Sequence, residues 1–108
     1  MLGEGEQTIR YQLVLQFHCD CLDYDSLVAL EEELIDRLGD AYVDGHDIGK
    51  EANIYILTSD PAGTFQQTQS ILERRQILKS VTAAYREADG EEYIVIWPEG
   101  STKAFTIS

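Results

Sequence analysis

An α+β fold, with two helices on one face of an antiparallel or mixed sheet, follows from three features of this sequence. Two segments repeat their apolar residues at helical spacing. The segments around them alternate with the period of a strand. Gly, Pro and Asp mark the breaks between them. Residues 8–18 alternate most clearly, with Ile9, Tyr11, Leu13, Leu15 and Phe17 on one side and Arg10, Gln12, Val14, Gln16 and His18 on the other. This predicts a half-buried strand, each large apolar side chain contributing about 1.5–3 kcal/mol when fully buried.

The period then changes. Leu27, Leu30, Leu34, Ile35 and Leu38 share one face of a helix. Asp23 or Asp25 supplies its N-cap, and Gly39 falls where a left-handed residue closes a helix. Glu31, Glu32, Glu33 and Asp36 fall on the opposite, solvated face. Residues 41–49 form a weak edge strand, bent or bulged at Asp44-Gly45. A turn at Gly49-Lys50 leads to a stronger strand over 52–58, with Ile54 and Ile56 on one face and Asn53, Tyr55 and Leu57 on the other. Ser59-Asp60-Pro61 opens the second helix, because an acidic cap followed by proline at the first helical position suits a helix start. That helix reaches about Arg75 and buries Ala62, Phe65, Ile71 and Leu72.

Residues 78–87 alternate again, with Val81, Ala83 and Tyr85 inward. Asp89-Gly90 signals a two-residue hairpin. A strand apolar on both faces follows over 92–97, with Tyr93, Val95 and Trp97 on one face and Ile94 and Ile96 on the other, and Pro98 stops it. Residues 103–107 add a short strand or a tail. The order β-α-β-β-α-β, with one more hairpin strand, is that of a ferredoxin-like split βαβ fold. Right-handed crossovers place both helices on one face and leave the other, with Gln12, Val14, Gln16, Tyr55 and Leu57, uncovered. A single domain over residues 1–108 is expected, with loosely packed ends at 1–7 and about 99–108.

Composition narrows the function. The 108 residues carry 20 Asp and Glu against 8 Lys and Arg, a net charge of −12, with 44% hydrophobic residues. Such a chain is a poor ligand for nucleic acid or an anionic membrane, both of which are bound through Lys and Arg. The excess is local: ten acids and one base, Arg37, lie in 20–47, against ten acids and seven bases elsewhere. Met1-Leu2-Gly3-Glu4-Gly5-Glu6 has neither the basic nor the apolar part of a signal peptide. With Cys19 and Cys21 too close for an easy disulfide, a cytoplasmic location is expected.

Catalytic signatures are scarce. No serine lies in Gly-x-Ser-x-Gly, and no glycine-rich phosphate loop occurs. His18-Cys19-Asp20-Cys21 lacks the second ligand pair that a structural zinc needs, so no metal or other cofactor is expected. Asp44, His46, Asp47, Glu51 and Asn53 gather polar groups around one hairpin. A polar site of His46, Glu51 and Asn53 is the candidate there, with Asp44 converging on it.

The stretch Asp44-Gly45-His46-Asp47-Ile48-Gly49, followed by Asn53-Ile54-Tyr55-Ile56-Leu57-Thr58-Ser59-Asp60-Pro61, resembles a pattern in small bacterial proteins of no established activity. Those read Asp-Gly-His-(Asp/Glu)-x-Gly, then an Asn-Ile-(Phe/Tyr)-Ile strand, then Thr-x-Asp-Pro opening a helix. The resemblance implies the same hairpin–strand–helix order and no catalytic residues.

The expected function is therefore a non-catalytic protein-interaction module of immunity or inhibitor type. Glu31, Glu32, Glu33, Asp36, Asp44 and Asp47 would meet the basic surface of a protein partner. A second copy of the chain is the other expected partner, through Tyr55, Tyr85, Tyr93 and Trp97. The alternative is a ligand-binding or enzymatic homodimer with its site on the open sheet face and His18 or His46 as acid or base.

Overall fold

The computed structural model describes residues 11–18, 23–39, 41–48 and 51–98. The expected turn at Gly49-Lys50, the two cysteines, the expected start of the first strand, the loose ends and the 103–107 strand lie outside these residues. The described chain runs β1 (Tyr11–Phe17), α1 (Tyr24–Arg37), β2 (Tyr42–Ile48), β3 (Ala52–Thr58), α2 (Pro61–Arg74), a 3₁₀ turn (Leu78–Ser80), β4 (Val81–Glu87) and β5 (Ile94–Trp97). The strands form one antiparallel sheet in the order β2-β3-β1-β4-β5. The fold is α+β.

The alternation of β1 decides the core. Leu13, Leu15 and Phe17 lie opposite Ile56, Ile54 and Ala52 of β3 and opposite Tyr85, Ala83 and Val81 of β4. Both helices cover this face. Leu27, Leu30, Leu34 and Leu38 from α1 join Phe65, Ile71 and Leu72 from α2 in one buried cluster with the strand residues.

Local chemistry sets the helix ends. The Ser26 N–H donates to the Asp23 carboxylate at 2.8 Å, the expected N-cap. Gly39 does not adopt the left-handed conformation. Instead Leu38 leaves the helix extended, and its N–H closes the last turn on Leu34, since burying Leu38 holds the exit in place. At α2 the Gly63 N–H donates to Asp60 at 3.1 Å. A Cβ on Gly63 would lie 2.3 Å from the Asp60 carboxylate, so a larger residue there requires the capping side chain to move. Gln76, at φ 64°, supplies the left-handed exit of α2.

Several expectations need correction. Ile35 is 59% exposed, because α1 turns it to the flank of the leucine stripe. Ala62 is exposed, and Thr64 and Thr68 take the inward positions; their hydroxyls are satisfied by Thr58 and by the Thr64 carbonyl, which makes burial tolerable. Residues 78–80 form a turn, and the strand begins at Val81. The loop after β4 is longer than a two-residue hairpin, since Tyr85 pairs with Ile94. Arg86 shapes it by donating to the carbonyls of Glu87, Ala88 and Gly90 at 2.9–3.1 Å. A register shift in β5 then pairs Trp97 with Ala83 but Val95 with Ala84, so these two side chains part to opposite faces.

The second sheet face is not open in its middle. Val14, Gln16, Asn53 and Ala84 all lie there and are buried. Apolar Val14 and Ala84, with half-buried Tyr55 and Leu57, make this face too costly to leave in water.

Candidate functional site

Two groups of side chains stand out: the acidic flank of α1 and β2, and a polar row across the second sheet face. Helix geometry explains how the first is divided. At 100° per residue, Leu27, Leu30, Leu34 and Leu38 point to the sheet. Glu31 then falls on one flank, Glu33 on the other, and Asp25, Glu32 and Asp36 point to solvent.

Glu31 and Glu33 brace the helix sideways and are half-buried. The His46 Nδ1 donates to Glu31 at 3.0 Å, with the Tyr24 ring edge-on to the imidazole at 5.9 Å. Glu33 receives Arg74 and, at 2.7 Å, Arg75 from α2, with Arg37 at 3.6 Å. The hydrogen bond from Arg75, with the charges of Arg75 and Arg74, holds the Glu33 carboxyl below the usual range against a smaller opposing effect of burial. Glu32, Asp36, Asp44 and Asp47 are exposed.

Large apolar groups are exposed on the same two elements. Tyr24 is 61% exposed, Tyr42 59% and Ile48 49%, alongside Ile35. Tyr24, Val28, Glu31 and Ile35 fall at i, i+4, i+7 and i+11, one stripe that runs beside β2. Ile94 on β5 is the remaining exposed large hydrophobic among the described residues. Three of the aromatics expected at an interface, Trp97, Tyr85 and Tyr93, make ring contacts within the chain and are half-buried. Trp97 packs on Phe65 at 5.9 Å and Tyr85 meets Tyr11 edge-on at 5.7 Å. Tyr93 lies under the Arg86 guanidinium and reaches Gln12.

The expected convergence of Asp44, His46, Glu51 and Asn53 does not occur. β2 shifts register between Val43 and Gly45, with Asp44 as the extra residue and Gly45 at φ 138°. A bulge reverses the facing of every later residue. His46 therefore turns under α1, opposite Ile54, while Asp47 turns to the second face, opposite Asn53.

On that second face, Asp47, Asn53, Gln16 and Thr82 form one row across β2, β3, β1 and β4. The Gln16 amide donates to Asn53 at 3.2 Å. The Asn53 Nδ2 is buried without a partner. Tyr55 reaches Asp47 at 3.5 Å, and burial, with the nearby negative charge, pushes its hydroxyl pKa up. At the row's end His18 bridges two strands: its Nδ1 lies 2.8 Å from Glu51 and its Nε2 2.5 Å from the Thr82 hydroxyl. Sequence reading paired Glu51 with His46 and missed Thr82, because a contact between residues 64 positions apart leaves no local spacing to read.

No family model, curated protein or solved structure matches the chain. Among the described residues, no helix is long and apolar enough to cross a membrane.

Proposed function

We propose that the chain acts by protein contact, through the surface formed by the outer side of α1 and the edge strand β2. One observation carries this reading: α1 and β2 together expose Tyr24, Ile35, Tyr42 and Ile48 as well as Glu32, Asp36, Asp44 and Asp47, with Tyr42 and Asp47 on the second sheet face. Aromatic and aliphatic anchors within a charged rim have the composition of a docking surface. The partner this surface suits is a basic protein, in the cytoplasm, whose approach the acidic field accelerates. Glu31 and Glu33 drop out of the surface and position it. An immunity or inhibitor role fits the same physics. The strand order β2-β3-β1-β4, with a helix after β1 and another after β3, supports a ferredoxin-like reading with β5 added at the edge.

The test is co-purification from native lysate with the wild type and with Glu32→Lys/Asp36→Lys/Asp44→Lys and Tyr42→Ala/Ile48→Ala variants. A basic protein should be retained by the wild type and lost from both variants, with loss also at high salt. Retention of the same proteins by all three would overturn the reading. Solution mass distinguishes a second copy as the partner, which would instead give a dimer that these variants dissociate.

A further inference from the structure

The end of the polar row, where β1, β3 and β4 meet, carries a second and independent chemistry. We propose that Thr82 is an activated nucleophile, with His18 as its general base and Glu51 as the positioning residue, competent for acyl transfer from activated esters. The argument starts from donors and acceptors. An ionised Glu51 can only accept, so its 2.8 Å contact assigns the proton to Nδ1 of His18. A neutral imidazole with its proton there presents a lone pair at Nε2. The Thr82 hydroxyl, 2.5 Å from that nitrogen, must then donate to it and keep its own lone pairs for attack. Nucleophile, base and orienting carboxylate within hydrogen-bond reach are the arrangement that activates a hydroxyl.

Access is provided, because the His18 side chain is 41% exposed and Thr82 is partly exposed. The backbone fixes the geometry. His18 N–H donates to the Ser80 carbonyl at 2.9 Å, and Thr82 lies in register with Gln16. Substrate charge is constrained too. Glu51 and the net charge of −12 disfavour phosphate esters and favour a neutral acyl ester. In the first step Thr82 Oγ1 bonds the acyl carbon and its proton passes to His18 Nε2. The bond to the leaving oxygen breaks, and its electron pair departs with that oxygen. That proton then passes from Nε2 to the departed oxygen or to solvent, leaving a neutral imidazole. In the second step Nε2 takes a proton from water as the water oxygen bonds the acyl carbon. The bond from that carbon to Thr82 Oγ1 breaks, and the Nε2 proton returns to Oγ1, releasing the carboxylic acid.

The probe is p-nitrophenyl acetate, with release of nitrophenolate and mass mapping of the acetylated protein. The wild type should carry acetyl on Thr82, and Thr82→Ala and His18→Ala should each lose about a hundredfold in rate, the low end of general-base effects. Thr82→Ser, a less hindered hydroxyl, should retain or exceed the wild-type rate. Glu51→Gln should lower the rate and shift the His18 ¹⁵N resonances away from the Nδ1–H tautomer, while Glu51→Asp restores part of both. Acetyl found only on lysines or on His18, or an unchanged rate in Thr82→Ala, would overturn the proposal, since an exposed imidazole alone hydrolyses this ester. The mapping uses wild-type protein, so it decides the question even where a variant fails to fold.

Discussion

Gly45 shows how one backbone conformation partitions the chemistry. Its φ of 138° is a region that side chains other than hydrogen rarely enter, yet a Cβ there would meet nothing within 4 Å. The cost of Gly45→Ala is therefore conformational strain alone, about 1–3 kcal/mol. Gly39 is the control, since it too has open space but no positive φ. Gly39→Ala should stay within about 0.5 kcal/mol of the wild type by urea denaturation. Equal effects at the two positions would show that the bulge is not what Gly45 supports. Gly63→Ala sets two effects against each other. Alanine favours a helix interior by about 1 kcal/mol over glycine. Here its Cβ would displace the Asp60 cap, which is worth about 0.5–2 kcal/mol. The clash and the lost cap should together outweigh the propensity gain, giving a net loss in the same denaturation experiment. Asp44-Gly45 was legible in the sequence as a bulge. Its consequence, His46 under a helix and Asp47 on the far face, was not, because facing depends on which side of the extra residue one counts from.

The elements were legible wherever one periodicity dominated: β1 and β3 by alternation, α1 by its leucines, and α2 by its acid-proline start. Reading failed at their margins. Ile35 has the right residue type for the core and the wrong angle by about a quarter turn. The loop before β5 depends on Arg86 bonding three carbonyls, a tertiary feature that Asp89-Gly90 does not announce. The two flanks of α1 were likewise hidden, since the partners of Glu31 and Glu33 come from β2 and α2. The Glu33 cluster yields a pH prediction. Its carboxyl titrates below its ordinary range when folded, first through the Arg75 hydrogen bond. Its contribution is then complete above the ordinary glutamate pKa of about 4.3 and fades as the pH falls through the depressed value. Glu33→Gln should cost roughly 1 kcal/mol at neutral pH, as expected for a half-exposed ion-pair network, and almost nothing near pH 2. Denaturant titrations of both proteins across that range check it; a difference that persists in acid would mean that packing, not charge, holds the two helices.

Across the molecule, the acidic surface and the stability of α1 pull in opposite directions. Asp36 lies in the last turn of α1, where the helix dipole disfavours an anion. It also follows Glu32 by four residues, a like-charge pair that costs about 0.2–0.5 kcal/mol. Both residues are exposed, and among the described residues neither forms an ion pair, while Arg37 inclines to Glu33. Half of the chain's acids crowd into the same quarter of its length, so more distant repulsions add in the same direction. A surface shaped for solubility alone would gain by placing asparagine or lysine at this position. Asp36→Asn should therefore stabilise the fold by about 0.5–1 kcal/mol, from dipole and pair together. At about 4–8 °C per kcal/mol for a domain near this size, the melting temperature should rise by roughly 2–8 °C. The gain should shrink in 1 M salt, where screening acts over about 3 Å. A loss of stability, or a gain indifferent to salt, would mean that Asp36 has a favourable role within the fold. A salt-sensitive gain would instead show a destabilising charge presented to solvent, beside Ile35, where a basic partner would relieve it. The same substitution should then weaken partner retention while strengthening the free protein, a pair of opposite signs that a solubilising surface does not produce.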